Sequence, residues 1–87
     1  MDRIALHVLT GDGPVLERQV EYVNLPTAFG SVGILAGHAA MLCNVEAGVL
    51  RCRGSEGESR VQITAGVASV ENNEVNVLVS SGRLLTE

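Results

Sequence analysis

Apolar and polar residues alternate over short stretches of this chain, and glycines interrupt the alternation repeatedly. In segment 4–10, Ile4, Leu6 and Val8 fall on one face, Ala5, His7 and Leu9 on the other, and the turn-forming run Gly11-Asp12-Gly13-Pro14 follows. That pattern predicts a strand and a turn. With ten glycines spread along the sequence, few stretches could carry an amphipathic helix of ordinary length. The one helical competitor is 14–23, where Asp12 could cap, Pro14 suits a first turn, and Leu16, Val20 and Val23 keep a helical spacing. The alternation of Val20 with Tyr22, and the need of neighbouring segments for pairing partners, favours a strand over 15–24.

Two hairpins can be read in detail. Segments 49–53 and 60–64 flank the polar run Gly54-Ser55-Glu56-Gly57-Glu58-Ser59. A symmetric register then sets Cys52 opposite Val61 and Leu50 opposite Ile63 on an inner face. The same register faces Arg53 with Arg60, a like-charge pair costing about 0.5 kcal/mol. The second hairpin turns at Asn72-Asn73, because asparagine tolerates the positive φ that tight hairpin loops demand. Val70 then opposes Val75, Ala68 opposes Val77, and Val67 pairs with Leu78 on the other face. This hairpin is therefore apolar on both sides near its far end, and either a second sheet or a partner protein covers the face of Val67 and Leu78.

Strands over 4–10, 15–24, 31–35, 41–45, 48–53, 60–64, 66–70 and 74–80 make about eight, which predicts an all-β sandwich or flattened barrel with no substantial helix. The tail from Ser81 to Glu87 is too short for a stable helix alone, so the chain is expected to stop where the sheet stops.

Composition narrows the function more than the fold. At 87 residues the chain is one domain, and 46% hydrophobic against 18% charged residues excludes a disordered segment. The net charge is −4, from ten acids and six basic residues, all of them arginine. Nucleic-acid binding loses its electrostatic basis, and with one Phe, one Tyr and no Trp it loses its stacking platforms as well. Without a lysine, lipoyl or biotinyl carriage, Schiff-base chemistry and a phosphate-loop lysine are all excluded. The N-terminus Met1-Asp2-Arg3-Ile4-Ala5-Leu6-His7 lacks the pattern of an export signal, and no apolar run is long enough to span a bilayer. Cys43 and Cys52 are accordingly expected as reduced, buried small hydrophobes of a soluble protein.

Candidate chemistry is thin. His38 lies in the small-residue run Gly33-Ile34-Leu35-Ala36-Gly37-His38-Ala39-Ala40, and a catalytic partner would have to be Cys43 or Glu46, with no oxyanion site at a recognisable spacing. His7, His38, Cys43 and Cys52 suffice in number for tetrahedral zinc, but they come from separate segments with no paired knuckle. Glu56, Glu58, Glu71 and Glu74 read as solvated turn charges. The residues thus predict a small acidic sandwich with no catalytic site, no metal and no cofactor, working through a protein partner.

The run Asn24-Leu25-Pro26-Thr27-Ala28-Phe29-Gly30-Ser31-Val32-Gly33-Ile34-Leu35-Ala36-Gly37-His38-Ala39-Ala40-Met41-Leu42 resembles the signature of the epsilon-subunit family of rotary F-type ATP synthases. The resemblance extends upstream through Val8-Leu9-Thr10-Gly11-Asp12-Gly13 and downstream through Ala47-Gly48-Val49-Leu50-Arg51 and the segment 65–78. Ala36 and Ala40 stand where the family usually has prolines, and Val67 follows Ala65-Gly66 where Gly-Gly-Phe is usual. Losing two prolines in a loop costs about 1 kcal/mol through the unfolded state, which the fold should tolerate.

The resemblance implies a single N-terminal domain over 1–87, built as a sandwich of ten strands and short of the C-terminal helical hairpin common in the family. It implies a non-enzymatic rotor subunit of the central stalk that links the gamma subunit to the c-ring and so couples ion translocation, of hydrogen ions, to ATP synthesis. Thr10, His38 and Cys43 are then expected toward gamma, and the loop of Phe29, Gly30, Ser31 and Val32 toward the c-ring. No cofactor, nucleic acid or membrane insertion is implied, and the place is peripheral, on the cytoplasmic side of a bacterial inner membrane. The alternative is a free-standing sandwich that binds another protein.

Overall fold

Ten strands and no helix make up the computed structural model, which describes residues 3–85. In chain order they are β1 (Ile4–Thr10), β2 (Gly13–Val20), β3 (Tyr22–Thr27), β4 (Gly30–Leu35), β5 (Met41–Val45), β6 (Gly48–Gly54), β7 (Gly57–Ile63), β8 (Gly66–Glu71), β9 (Glu74–Val79) and β10 (Gly82–Leu85). They form two five-stranded sheets, ordered β2-β1-β9-β8-β5 and β10-β7-β6-β3-β4. All pairings are antiparallel except β1 with β9. The sheets face each other across a core of alternating inward residues, as the period of two requires.

Ile4, Leu6 and Val8 of β1 and Val75 and Val77 of β9 are buried from the first sheet, and Val23, Leu25, Ile34, Leu50 and Val61 from the second. Removing each such side chain from water contributes about 1.5–3 kcal/mol. Cys52 lies in this core, Cys43 is half-buried at its margin, and both are free thiols.

The predicted strand 15–24 is in fact two strands in different sheets. The chain leaves the first sheet at Val20 and enters the second at Tyr22, with the Glu21 amide donating to the Arg53 carbonyl at 2.8 Å. Leu16, Val20 and Val23 are all buried in the same core. In one continuous strand Val20 and Val23 would point to opposite faces, and the change of sheet turns both inward. The helix-like spacing in the sequence is the imprint of that crossing.

The hairpin of β6 and β7 also differs from expectation. Its turn is the tight pair Ser55-Glu56, closed by Gly54 opposite Gly57, because Gly57 adopts a φ of 108° that a residue with a Cβ rarely takes. The register therefore moves: Leu50 faces Val61, Cys52 faces Ser59, Arg53 faces Glu58, and the like-charge pair is Arg51 with Arg60. The Asn72-Asn73 hairpin has its expected register, with both asparagines at positive φ, 52° and 61°, as a type I′ turn demands.

A strand not counted from the alternation closes the second sheet. β10 pairs with β7, and Thr64 and Ser81 clasp the connection through Ser81 N to Thr64 Oγ1 at 3.0 Å and Thr64 N to Ser81 O at 3.1 Å. A segment this short shows no readable alternation, so only its partner reveals it.

Candidate functional site

The outer face of the first sheet is unusually apolar along one line. Register places Leu9 of β1 beside Leu78 of β9, Leu78 beside Val67 of β8, and Val67 beside Asn44 on the edge strand β5. Leu78 is 50% exposed, Val67 40%, and Leu42, also outward on β5, 78%. These side chains point away from the core because Val77, Ala68 and Val45 beside them point in. Four aliphatic groups on one flat face form a surface with the makings of a protein interface.

The three residues expected toward gamma share this sheet or its rim without forming a cluster. Thr10 ends β1, where its hydroxyl donates to the Gly13 carbonyl and accepts from the Asp12 amide, both at 3.1 Å, which fixes the turn into β2. His38 is half-buried in the connection between β4 and β5, at the end of the sheet opposite Thr10. Its Nδ1 lies 2.7 Å from the Ala39 carbonyl, which can only accept, so the proton sits on Nδ1. Cys43 lies on the edge strand β5 with its side chain against the core, leaving Leu42 and Asn44 as that strand's outward groups. The connection itself is 36–40, since Gly33, Ile34 and Leu35 of the small-residue run belong to β4.

An unforeseen contact positions His38. The Gly37 amide donates to Asn73 Oδ1 at 2.7 Å, tying the His38 connection to the turn between β8 and β9. Asn73→Gly keeps the positive φ but removes this acceptor. The expected result is a stable fold with the Gly37 amide exchanging about tenfold faster, a local loss of about 1 kcal/mol measurable by hydrogen exchange.

The tip expected toward the c-ring is a tight hairpin turn. Ala28 and Phe29 form it, and Gly30, Ser31 and Val32 already belong to β4. Thr27 braces it, its hydroxyl donating to the Gly30 carbonyl at 2.6 Å and accepting from the Phe29 amide at 3.2 Å. Phe29 is fully exposed, Gly30 and Ser31 are exposed, and Val32 packs partly against the core. Glu46 N donates to Pro26 O at 2.9 Å, so the tip stands beside the connection from β5 to β6. A rigid turn that presents a bare phenyl ring has no folding role; it is suited to contact.

Among the described residues, the candidate groups do not assemble into a reactive constellation. Glu46 follows the far end of β5 from His38, about 15 Å of extended strand away, and Cys43 turns inward. His7 faces outward on β1, where its Nδ1 meets Glu17 Oε2 at 3.2 Å, while Cys52 is buried in the other sheet. Among the described residues, no group of three or more His, Cys, Asp or Glu is gathered as a metal site, and the exposed faces are left as the functional features.

Residues 3–83 match the family described as the beta-sandwich domain of the ATP synthase delta/epsilon chain. The chain belongs to this family. It is 40% identical over 81 residues to the ATP synthase epsilon chain of Prochloron didemni, covering 93% of this chain and 60% of that one. To the epsilon chain of a Synechocystis species it is 39% identical over 83 residues, covering 95% and 61%. This epsilon-type chain thus spans about 60% of the length of these curated relatives. In three dimensions it superposes, at a TM-score of 0.89 and 23% identity, on a chain of the Euglena gracilis mitochondrial ATP synthase, covering 97% of this chain and 54% of that one. At that identity the match establishes the sandwich fold.

Proposed function

We propose that this chain is a non-catalytic subunit of the central stalk of an F-type ATP synthase, joining the gamma subunit to the c-ring so that proton translocation is coupled to ATP synthesis. The observation that carries this reading is the outward aliphatic row of half-buried Leu9 and exposed Leu78 and Val67, with Leu42 diagonal to Val67 on the edge strand, on a sheet that has Thr10 and His38 at opposite ends. Gamma takes this face, including Thr10, His38 and the β5 edge at Cys43. The c-ring takes the tip, with Phe29 and Ser31 as its contact groups and Gly30 and Val32 shaping the hairpin. Epsilon-chain relatives and a solved central stalk and c-ring assembly from Tetrahymena thermophila, matched at a TM-score of 0.76, support the assignment. A closed sandwich suits torque transmission because two sheets sharing one core resist shear better than an isolated helix pair.

On this reading the subunit is peripheral, on the cytoplasmic side of a bacterial inner membrane. No helix among the described residues is long and apolar enough to cross a bilayer. The test is association of the purified chain with purified gamma. Co-elution at about 10 µM is expected. Two folded partners that stay separate at that concentration would overturn the assignment, and capture of an unrelated protein through the same aliphatic line would favour a free-standing binding module.

A further inference from the structure

The two outer faces carry opposite charge. On the first sheet the outward strand positions include Glu17, Glu71 and Glu74 and no arginine. On the second sheet, Arg51 and Arg53 of β6, Arg60 of β7 and Arg83 of β10 point outward, opposed on the strands only by Glu58. Four of the six arginines of an acidic chain are thus on one face. Register brings them together: Arg51 lies directly across from Arg60, and Arg53 is two residues along β6 from Arg51.

We infer that the outer face of the second sheet docks an acidic, amphipathic helical segment of a partner protein. The arginines are prepared for carboxylates. Arg53 stacks on the Tyr22 ring, 5.4 Å from its centroid, and Asn24 Nδ2 donates to the Tyr22 hydroxyl at 3.0 Å. Gly33 completes the seat, since a Cβ there would come within 3.2 Å of that ring. Beside them opens a depression of about 530 Å³ that Arg51 also lines. Neither Arg51 nor Arg53 has a carboxylate within salt-bridge distance among the described residues. A guanidinium presents its donors as a planar fork that matches a carboxylate bidentately.

Spacing and apolar content favour a helix. Alternate residues on a strand stand about 6.6 Å apart, close to the separation of carboxylates at i and i+4 on a helix. Leu35, 61% exposed and paired with Tyr22, and Val49, 37% exposed, give an apolar footing that a helix can cover with its other edge. An anionic lipid surface fits less well, because the net charge of −4 repels it and no lysine is present to follow its headgroups.

The test uses the full chain and a synthetic helix of about 18 residues bearing glutamates on one stripe and leucines beside it. Expected are saturable amide shifts along β3, β6 and β7, with affinity falling at least about tenfold between low and physiological salt. Arg51→Glu should fold, since it replaces the like-charge pair with an opposite one, and the double variant Arg51→Glu/Arg53→Glu should weaken the helix about tenfold or more. Glu71→Lys on the other face should leave the affinity unchanged. Shifts confined to the first sheet, an undiminished affinity in the double variant, or binding to phosphatidylglycerol vesicles with none to the helix would each overturn the inference. Association with gamma through the first sheet is a separate measurement and remains interpretable whatever the result.

Discussion

Gly66→Ala is expected to destabilise the sandwich by about 3 kcal/mol, lowering the thermal midpoint by about 10–20 °C. Gly66 opens β8, where it sits between Val79 of β9 and Val45 of β5. An added Cβ would lie 2.0 Å from the Leu78 carbonyl oxygen and 2.9 Å from a Val79 methyl carbon. The oxygen belongs to the backbone of a central strand, so no side chain can swing away and the sheet itself must shift. Gly11→Ala is the matched control, for nothing lies within 4 Å of its added Cβ, and a change within about 0.5 kcal/mol is expected there. Thermal unfolding of both variants checks the pair. Equal behaviour would mean that β8 and β9 are less closely apposed than described.

The second large effect is on association. Leu78→Asp is expected to weaken binding to gamma by about a hundredfold, near 3 kcal/mol, with little change in the thermal midpoint. Leu78 lies at the centre of the aliphatic line, flanked by Leu9 and Val67, and docking would strand a carboxylate there without a partner. Its half-exposed side chain contributes little to the core, so the fold is spared. Arg83→Ala, on the opposite face, should bind gamma as the parent does. Titration calorimetry with purified gamma separates the two variants, and normal binding by Leu78→Asp would remove the first sheet from the interface.

Gly66 also illustrates how far the sequence can be read. The run Ala65-Gly66-Val67 is visible in the sequence as part of a familiar pattern, and nothing local says why glycine stands there. The reason is a carbonyl on another strand, which enters only when β8 and β9 are brought together. The Asn72-Asn73 hairpin is the opposite case. Its turn chemistry and its register are both local, so Val70 faces Val75 and Val67 faces Leu78 as the residues alone indicate. The β6–β7 register was misplaced because the polar run from Gly54 to Ser59 admits a long loop as well as a tight turn. The positive φ of Gly57 selects the tight one, and that choice moves Arg51 opposite Arg60.

The docking faces divide in the same way. Val67 and Leu78 were legible as an outward apolar pair because alternation in one hairpin names both faces. Their continuation to Leu9, and the nearness of Leu42 on the same face, was not, since β1 and β5 reach this sheet from distant parts of the chain. The arginine band divides likewise: Arg53 and Arg60 were legible on the outer side of one hairpin, whereas Arg83 joins them only through the pairing of β10 with β7.

By itself the sequence determined that the chain is all-β, that its core is aliphatic, where most strands run and where one turn must fall. These follow from alternation and from the backbone freedom of glycine and asparagine, which act over a few residues. Only the tertiary structure decided that the chain changes sheets at Glu21, that its tail adds β10, and that one outer face is aliphatic and acidic while the other is basic. Those outcomes depend on which strands become neighbours, and strand order is set by burying both inner faces at once, a condition no single segment carries.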